Sequence, residues 1–268
     1  MLAPPSFDAS LFSAVAVSGL EYRRLLAAAQ RLRGSIYLRD GAVQPSQLTA
    51  DGRHVQREDQ NSWHLLTVDE NGVPAACARC IQHENTTSFS DLTISRSALA
   101  KCKRWGRVLR TAVEDELRSA HSRDVEFFEI GGWAISEALR CSTEAVRMLI
   151  SFYALMQLLG GVVGVSTATT RHSSSSIIRR IGGRSLVGMG VELPSYYDPE
   201  YKCEMEVIRF DSLSPNPRYI SVIEECRDYL RNVTVIRPTP EFNHVENHSG
   251  IYLGVPSLRP AAAFGAAF

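Results

Sequence analysis

The sequence predicts a mixed α/β fold, a single sheet with helices on both faces. Two observations lead there. Segments of β character alternate with segments whose apolar residues recur at helical spacing, the pattern of a layered α/β domain. Yet residues 63–68 and 73–81 follow one another across the turn DENG at 69–72, which is a hairpin and makes the sheet mixed. No internal repeat interrupts this order.

Taken in order, residues 20–33 (LEYRRLLAAAQRLR) are rich in helix formers, with Tyr22, Leu25, Leu26, Ala29 and Leu32 on one face. Gly34 predicts the helix end, and SIYL at 35–38 an extended start. Residues 41–60 lack periodicity and predict a long polar loop, of the kind that covers a site. A helix is predicted over 96–121 and a central strand over 125–135, running through Gly131 and Gly132. The stripe Val146, Leu149, Ile150, Tyr153, Met156 predicts a helix over 143–159, stopped by Gly160 and Gly161. A strand at 162–166, a short helix at 173–181, a strand at 204–210 and a helix at 219–230 follow. Past Pro238 the pattern is lost. The expected division is an extension at 1–19, a domain at 20–237, and a partly disordered tail at 238–268.

Composition narrows the function classes. Of 268 residues, 44% are hydrophobic, and Lys+Arg and Asp+Glu balance at 29 each. A neutral chain has no global field to recruit nucleic acid, so an anionic ligand needs a local site. The most apolar stretch, 148–164, contains Ser151 and Gln157 and is broken by glycines, which argues against a membrane span and against integral membrane association. The six cysteines are scattered in a chain too large to need staples, and Met-Leu-Ala-Pro-Pro does not open like a secretory signal. Free thiols and a cytoplasmic location are expected. Cys77 and Cys80 lack a second ligand pair, so no metal is expected.

The chemistry concentrates between residues 127 and 183. The strand leading to Gly131 and Gly132 carries Glu129, followed by Trp133. A buried Glu129 would have a raised pKa and could take a proton, directly or through water; the alternative is a carboxylate on a strand edge. The paired glycines would let a ligand approach closely, and their N–H groups could hold an oxyanion. Ser142 or Thr143 can cap the next helix, whose free N–H groups, with Arg140 and Arg147, suit a phosphate. An ordinary capped helix with solvated arginines is the alternative. Cys141, at that helix start, could pair with His172 as a thiol nucleophile, or be structural.

Several stretches together resemble the acyl-homoserine lactone synthases and N-acyl amino acid synthases, which share the GNAT fold. RGSIY at 33–37 is similar to the family's Arg-x-x-Val-Phe. Asp59 sits where the second of two acidic residues precedes the first hairpin. ACAR at 76–79 parallels Gly-x-x-Arg, and EIGGWAI at 129–135 parallels Glu-x-x-Arg-Phe-x-Val. Residues 167–182 resemble the strand-to-helix stretch ending in Arg-x-Gly. Gln56 replaces the first acidic residue and Gly132 the arginine, and both departures lie in the site region.

The resemblance implies a GNAT-like three-layer fold with a splayed, mostly antiparallel sheet. It implies an N-acyltransferase carrying an acyl group from acyl-CoA or acyl carrier protein to the amine of an amino acid or similar small molecule, with no permanent cofactor. Residues and resemblance together give the expected roles: Glu129 as general base or water orienter; Arg33, Asp59, Arg79, Gly131, Gly132 and Trp133 at the acceptor; and, from the helix start alone, Arg140, Ser142, Thr143 and Arg147 at the donor's phosphates. Arg33, Asp59 and Arg79 could equally form a structural ion-pair network. The alternatives are lactone synthesis from S-adenosylmethionine, or a non-catalytic sensor of acyl thioesters.

Overall fold

A computed structural model describes residues 1–239; the tail expected at 238–268 therefore lies almost wholly outside the described residues. The elements are β1 (Val15–Val17), α1 (Gly19–Arg39), β2 (Ser62–Val68), β3 (Pro74–His83), α2 (Ala98–Lys101), α3 (Gly106–Ser122), β4 (Glu126–Ile135), α4 (Glu144–Leu158), β5 (Val162–Thr169) and α5 (Ser174–Ile181). Four short strands follow: β6 (Arg184–Ser185), β7 (Val187–Gly188), β8 (Val191–Glu192) and β9 (Tyr196–Asp198). The order closes with β10 (Cys203–Asp211), α6 (Ile220–Arg231) and β11 (Val235–Arg237).

The main sheet has the order β2-β3-β4-β5-β10-β6, with β9 also on β10. Every pairing is antiparallel except β4 with β5. The expected fold, a mostly antiparallel mixed sheet between helical layers, is the one observed. β1 and β11 pair in parallel beside it, and Leu2 bridges both His64 of β2 and Ile236 of β11.

Strand alternation divides the core into two sides. Phe128, Ile130, Val162, Ile208 and Phe210 pack with α4, α5 and α6, where Leu149, Phe152, Tyr153 and Met156 are buried. Phe127, Val163, Val165 and Val207 face the other way and pack with Leu109 and Val113 of α3. α1 lies on this second side through Ala29 and Ile36, against Cys77 and Ala134. Cys77 therefore points toward α1 while Cys80 joins the α4 side, so the pair cannot act as a chelate.

Two boundaries differ from the sequence reading. α1 does not end at Gly34 but runs on through SIYL to Arg39. Gly34 is where the following loop crosses the helix: a Cβ there would lie 2.3 Å from the Gly52 carbonyl oxygen, and the His54 N–H donates to the Gln30 carbonyl nearby. The helix expected over 96–121 is two helices with a turn at 102–105. The chain folds back so closely that a Cβ on Gly106 would lie 2.3 Å from the Ala100 oxygen. Both glycines serve a close approach rather than a helix end.

Candidate active site

β4 and β5 run in parallel from Glu126 opposite Val162 to Ile130 opposite Ser166, and there they part. β4 continues to Ile135 beside β3, and β5 to Thr169 beside β10. Among the described residues no strand fills the fork, so backbone polar groups on its inner edges are left for a ligand. At its apex the Ser166 hydroxyl donates to the Ile130 carbonyl, 3.1 Å away. A cleft of about 750 Å³ opens from this point. Its apolar wall includes Leu149 and Phe152 of α4 and Ile177 and Ile178 of α5.

One edge of the fork is bulged. Cys77 faces Ala134 and Arg79 faces Gly131, so three steps on β4 oppose two on β3. Gly132 takes up the extra residue with φ +63°, and a Cβ there would lie 3.0 Å from Arg33 Nη1. Glycine is thus required by backbone and by space, and the bulge re-aims β4 beside the cleft. Gly131, Gly132 and Trp133 all line it.

Behind the bulge, Arg33, Asp59 and Arg79 meet as one cluster. Asp59 Oδ2 accepts from Arg33 Nη2 at 2.6 Å, and Oδ1 from Arg79 Nη1 at 2.7 Å. Gln30 Nε2 and the Gln56 N–H complete the shell at 2.9 and 3.0 Å. Burial pushes the Asp59 carboxyl up, but the two guanidiniums outweigh it and hold the pKa well below the usual range. Burial, reinforced by Arg33, lowers His54 to about 4, and burial lowers His64 likewise to about 4. Both rings are neutral near pH 7, so two cations face one carboxylate. The surplus positive charge sits beside Arg79, the member of the cluster that lines the cleft. Arg79 Nε and Trp133 Nε1 are buried donors without an acceptor among the described residues.

Glu129 is buried and lines the cleft, but not as the raised-pKa base expected from sequence. Burial raises its pKa; hydrogen bonds from His83 and Thr93 outweigh that and lower it. Oε1 accepts from the Thr93 hydroxyl at 2.6 Å and the Ile94 N–H at 2.9 Å. Oε2 accepts from the Thr93 N–H at 2.8 Å and pairs with His83 Nε2 at 2.9 Å. Four partners occupy the roughly four lone-pair positions of a carboxylate. Three of the four come from the 3-10 turn at Thr93–Arg96, which lies just before the helix expected over 96–121 and which the sequence did not predict.

At the other end of the cleft, the α1 end meets the segments before α4 and after β5. Arg140 donates to both oxygens of Asp40 at 3.0 and 3.1 Å, and His172 Nε2 lies 3.4 Å from Asp40 Oδ2. Arg171 donates to the Asp40 carbonyl at 2.7 Å. Thr143 is the N-cap of α4 but makes no side-chain cap bond; the Ser142 hydroxyl instead accepts from the Glu144 N–H at 3.1 Å. Arg140, Cys141, Ser142, Arg171 and His172 line the cleft, whereas Thr143 and Arg147 are not among its lining residues. Arg147 instead pairs with buried Glu144 at 2.6 Å, and Glu144 also accepts from Thr67.

The sequence reading missed Tyr37, Asp40, Arg171 and Tyr201, all on the cleft. Tyr37 closed the quoted RGSIY stretch and was within reach; its hydroxyl donates to the Trp133 carbonyl at 3.3 Å. Tyr201 sits in a short loop between two strands, with no local signal. Burial raises the pKa of both phenols, which stay protonated.

No family model matches the chain, and no curated protein sequence matches it. Solved structures do. A CoA-dependent acyl-homoserine lactone synthase, BjaI, with SAM and isopentyl-CoA is 14% identical over 84% of this chain and 92% of its own, TM-score 0.49. FeeM, an N-acyl amino acid synthase from uncultured soil microbes, is 11% identical over 72% and 86%, TM-score 0.42. Arylalkylamine N-acetyltransferase 2 from Aedes aegypti is 14% identical over 72% and 95%, TM-score 0.43.

Proposed function

We propose that the chain is an N-acyltransferase, moving an acyl group from a phosphopantetheine thioester to the amine of a small anionic acceptor such as an amino acid. The observation that carries this reading is the forked, bulged cleft with different chemistry at its two ends. The fork supplies unpaired strand edges for an amide-bearing arm. Arg140, Arg171 and His172 suit the phosphates at its mouth, with Ser142 and Thr143 at the start of α4; Arg147, outside the cleft lining, contributes little. The α4 and α5 wall accommodates the acyl chain. Arg79, backed by Arg33 and Asp59, offers the surplus positive charge that an acceptor carboxylate would neutralise. Acyl-CoA and acyl carrier protein remain the two donor classes this site suits.

In the reaction the acceptor nitrogen attacks the thioester carbonyl. A C–N bond forms, the C–S bond breaks, the amine's proton passes to water, and the thiolate takes a proton. Backbone N–H groups around Gly131 and Gly132 hold the developing oxyanion. Tyr201 is the proton donor to the thiolate. Glu129 acts as a positioning residue, fastening the Thr93–Arg96 turn through its saturated carboxylate. With no dedicated base, the rate climbs with pH until the acceptor's own ammonium has lost its proton.

The test is to incubate the protein with acyl-CoA and acyl-carrier-protein thioesters, pooled amino acids and S-adenosylmethionine, and to read products by mass. An N-acyl amino acid, lost in Arg79→Met, is the expected result. An acyl-homoserine lactone would transfer the reading to lactone synthesis despite Gln56 and Gly132. Thioester binding without product would leave a sensor.

A further inference from the structure

A second face stands apart from the cleft chemistry. β7 and β8 form a hairpin whose two-residue turn is Met189 and Gly190, both at positive φ, +52° and +76°. Such a turn favours Asn-Gly, and a long apolar side chain at its first position is strained. Here Met189 is 56% exposed, and Val187 and Val191 beside it are 54% and 48% exposed. Three large apolar side chains are thus exposed within five residues of one hairpin, Met189 at its turn and Val187 and Val191 on its opposite faces, at a backbone cost that folding does not require.

The hairpin is seated on α3: a Cβ on Gly188 would lie 2.4 Å from the Val108 carbonyl oxygen and 2.8 Å from Ala112 Cβ. The chain entering that part of α3 is strongly basic. Lys101, Lys103, Arg104, Arg107 and Arg110 fall within ten residues and are all exposed. Among the described residues none of the five has a carboxylate partner; Arg104 lies over Trp105 and Arg110 over Phe89. Further along α3 the chain carries Glu114, Asp115 and Glu116. Asp115 is taken by Arg118 and Glu116 by Arg209. In a chain of zero net charge, an unpaired cluster of this size is a local electrostatic feature.

We propose that the β7–β8 tip and the basic start of α3 dock the protein peripherally on an anionic lipid surface. Val187, Met189 and Val191 enter the interface, and the cations at 101–110 meet the headgroups, with half-buried Trp105 at their level. An exposed apolar turn seated on a helix whose start carries five unpaired cations suits a surface that opens around it; a protein partner would need a matching hollow. The same segment reaches the cleft, since Ser97, the N-cap of α2, also lines it. Docking here would hold the cleft beside the membrane, where acylated products partition. Binding to lipid requires no turnover, so the inference stands or falls independently of the acyl-transfer reading.

The test is co-sedimentation of the full chain with phosphatidylcholine vesicles, with and without about 30% phosphatidylglycerol. Binding only to the anionic vesicles, lost as salt rises from about 0.05 M to about 0.5 M, is expected. Met189→Asn suits the turn better and should unfold no earlier, yet should weaken vesicle binding about tenfold through the lost apolar burial. Lys103→Glu with Arg107→Glu should weaken it by at least about fivefold per residue. Failure of the wild-type protein to bind anionic vesicles at low salt overturns the proposal, as does binding indifferent to these substitutions. Capture of a purified acidic carrier protein in place of vesicles, abolished by the same charge reversals, would assign the face to a protein and overturn it equally.

Discussion

Asp59, behind the cleft, and Glu129, on its wall, are both buried carboxylates held ionised against the pull of burial, and they are held by opposite means. Asp59 is balanced by charge, with a guanidinium on each oxygen. Glu129 is balanced by His83 and by neutral backbone N–H and hydroxyl donors from one short turn. Neutralising a charge-balanced group strands its partners, whereas neutralising a dipole-balanced group costs hydrogen bonds but leaves no unpaired guanidinium. The two sites therefore predict different penalties for nearly the same substitution.

The largest effect belongs to Asp59. Asp59→Asn leaves Arg33 and Arg79 buried without a counter-charge, and should destabilise the fold by about 3–5 kcal/mol. Denaturant unfolding checks this. Arg79→Met in the same background should recover part of the loss, because it removes one stranded charge; no recovery would break the charge-balance account.

The pH dependence comes next. His54 and His64 carry folded pKa values lowered from 6.5 to about 4. The sign follows from linkage: a lowered value stabilises above the unfolded pKa, and that contribution is lost as pH falls toward the folded one. Stability should therefore decline from about pH 6.5 to about pH 4, by no more than about 1.4 kcal/mol per pH unit for each ring. Asp59 adds its own loss below the usual carboxylate range. His64→Gln keeps a donor for the Asp59 carbonyl and should flatten the upper part of the curve. Thermal melts across this range decide it.

The difference between the two carboxylates also marks how far the sequence could be read. The strand and long-helix pattern was legible because period-2 and period-3.6 stripes are properties of short windows: β4, α4, β5 and β10 fall within a few residues of expectation. Arg33, Asp59 and Arg79 were legible as a set only through the order of several motifs. Their convergence depends on α1 and β3 packing face to face, which no single window records. Gly34 misled because a glycine at a helix end and a glycine under a crossing chain look alike in sequence, and the close turn before Gly106 went unread inside a helix expected to be continuous. Glu129 was placed correctly on a buried strand, but its pKa direction depends on donors from Thr93 and Ile94, more than thirty residues away. Desolvation could be read from the strand; the compensating hydrogen bonds could not.

The smallest effect should be that of Glu129→Gln. The glutamine side chain keeps one carbonyl acceptor for the donors on Oε1, while its NH₂ group faces the Thr93 N–H and leaves that donor unsatisfied. A loss of about 1–3 kcal/mol in stability is expected, the cost of one misplaced buried donor rather than of a stranded charge. Its kinetics separate the two roles considered for this residue. As a positioning residue it should reduce kcat by no more than about tenfold and leave the pH profile of kcat/KM unchanged, because the titrating group is the acceptor's own amine. As an obligatory base it would lower kcat by about 10²–10⁴ and erase the acidic limb of that profile. Four partners on one carboxylate leave no oxygen lone pair free for a proton in flight, so the former outcome is the one the geometry supports.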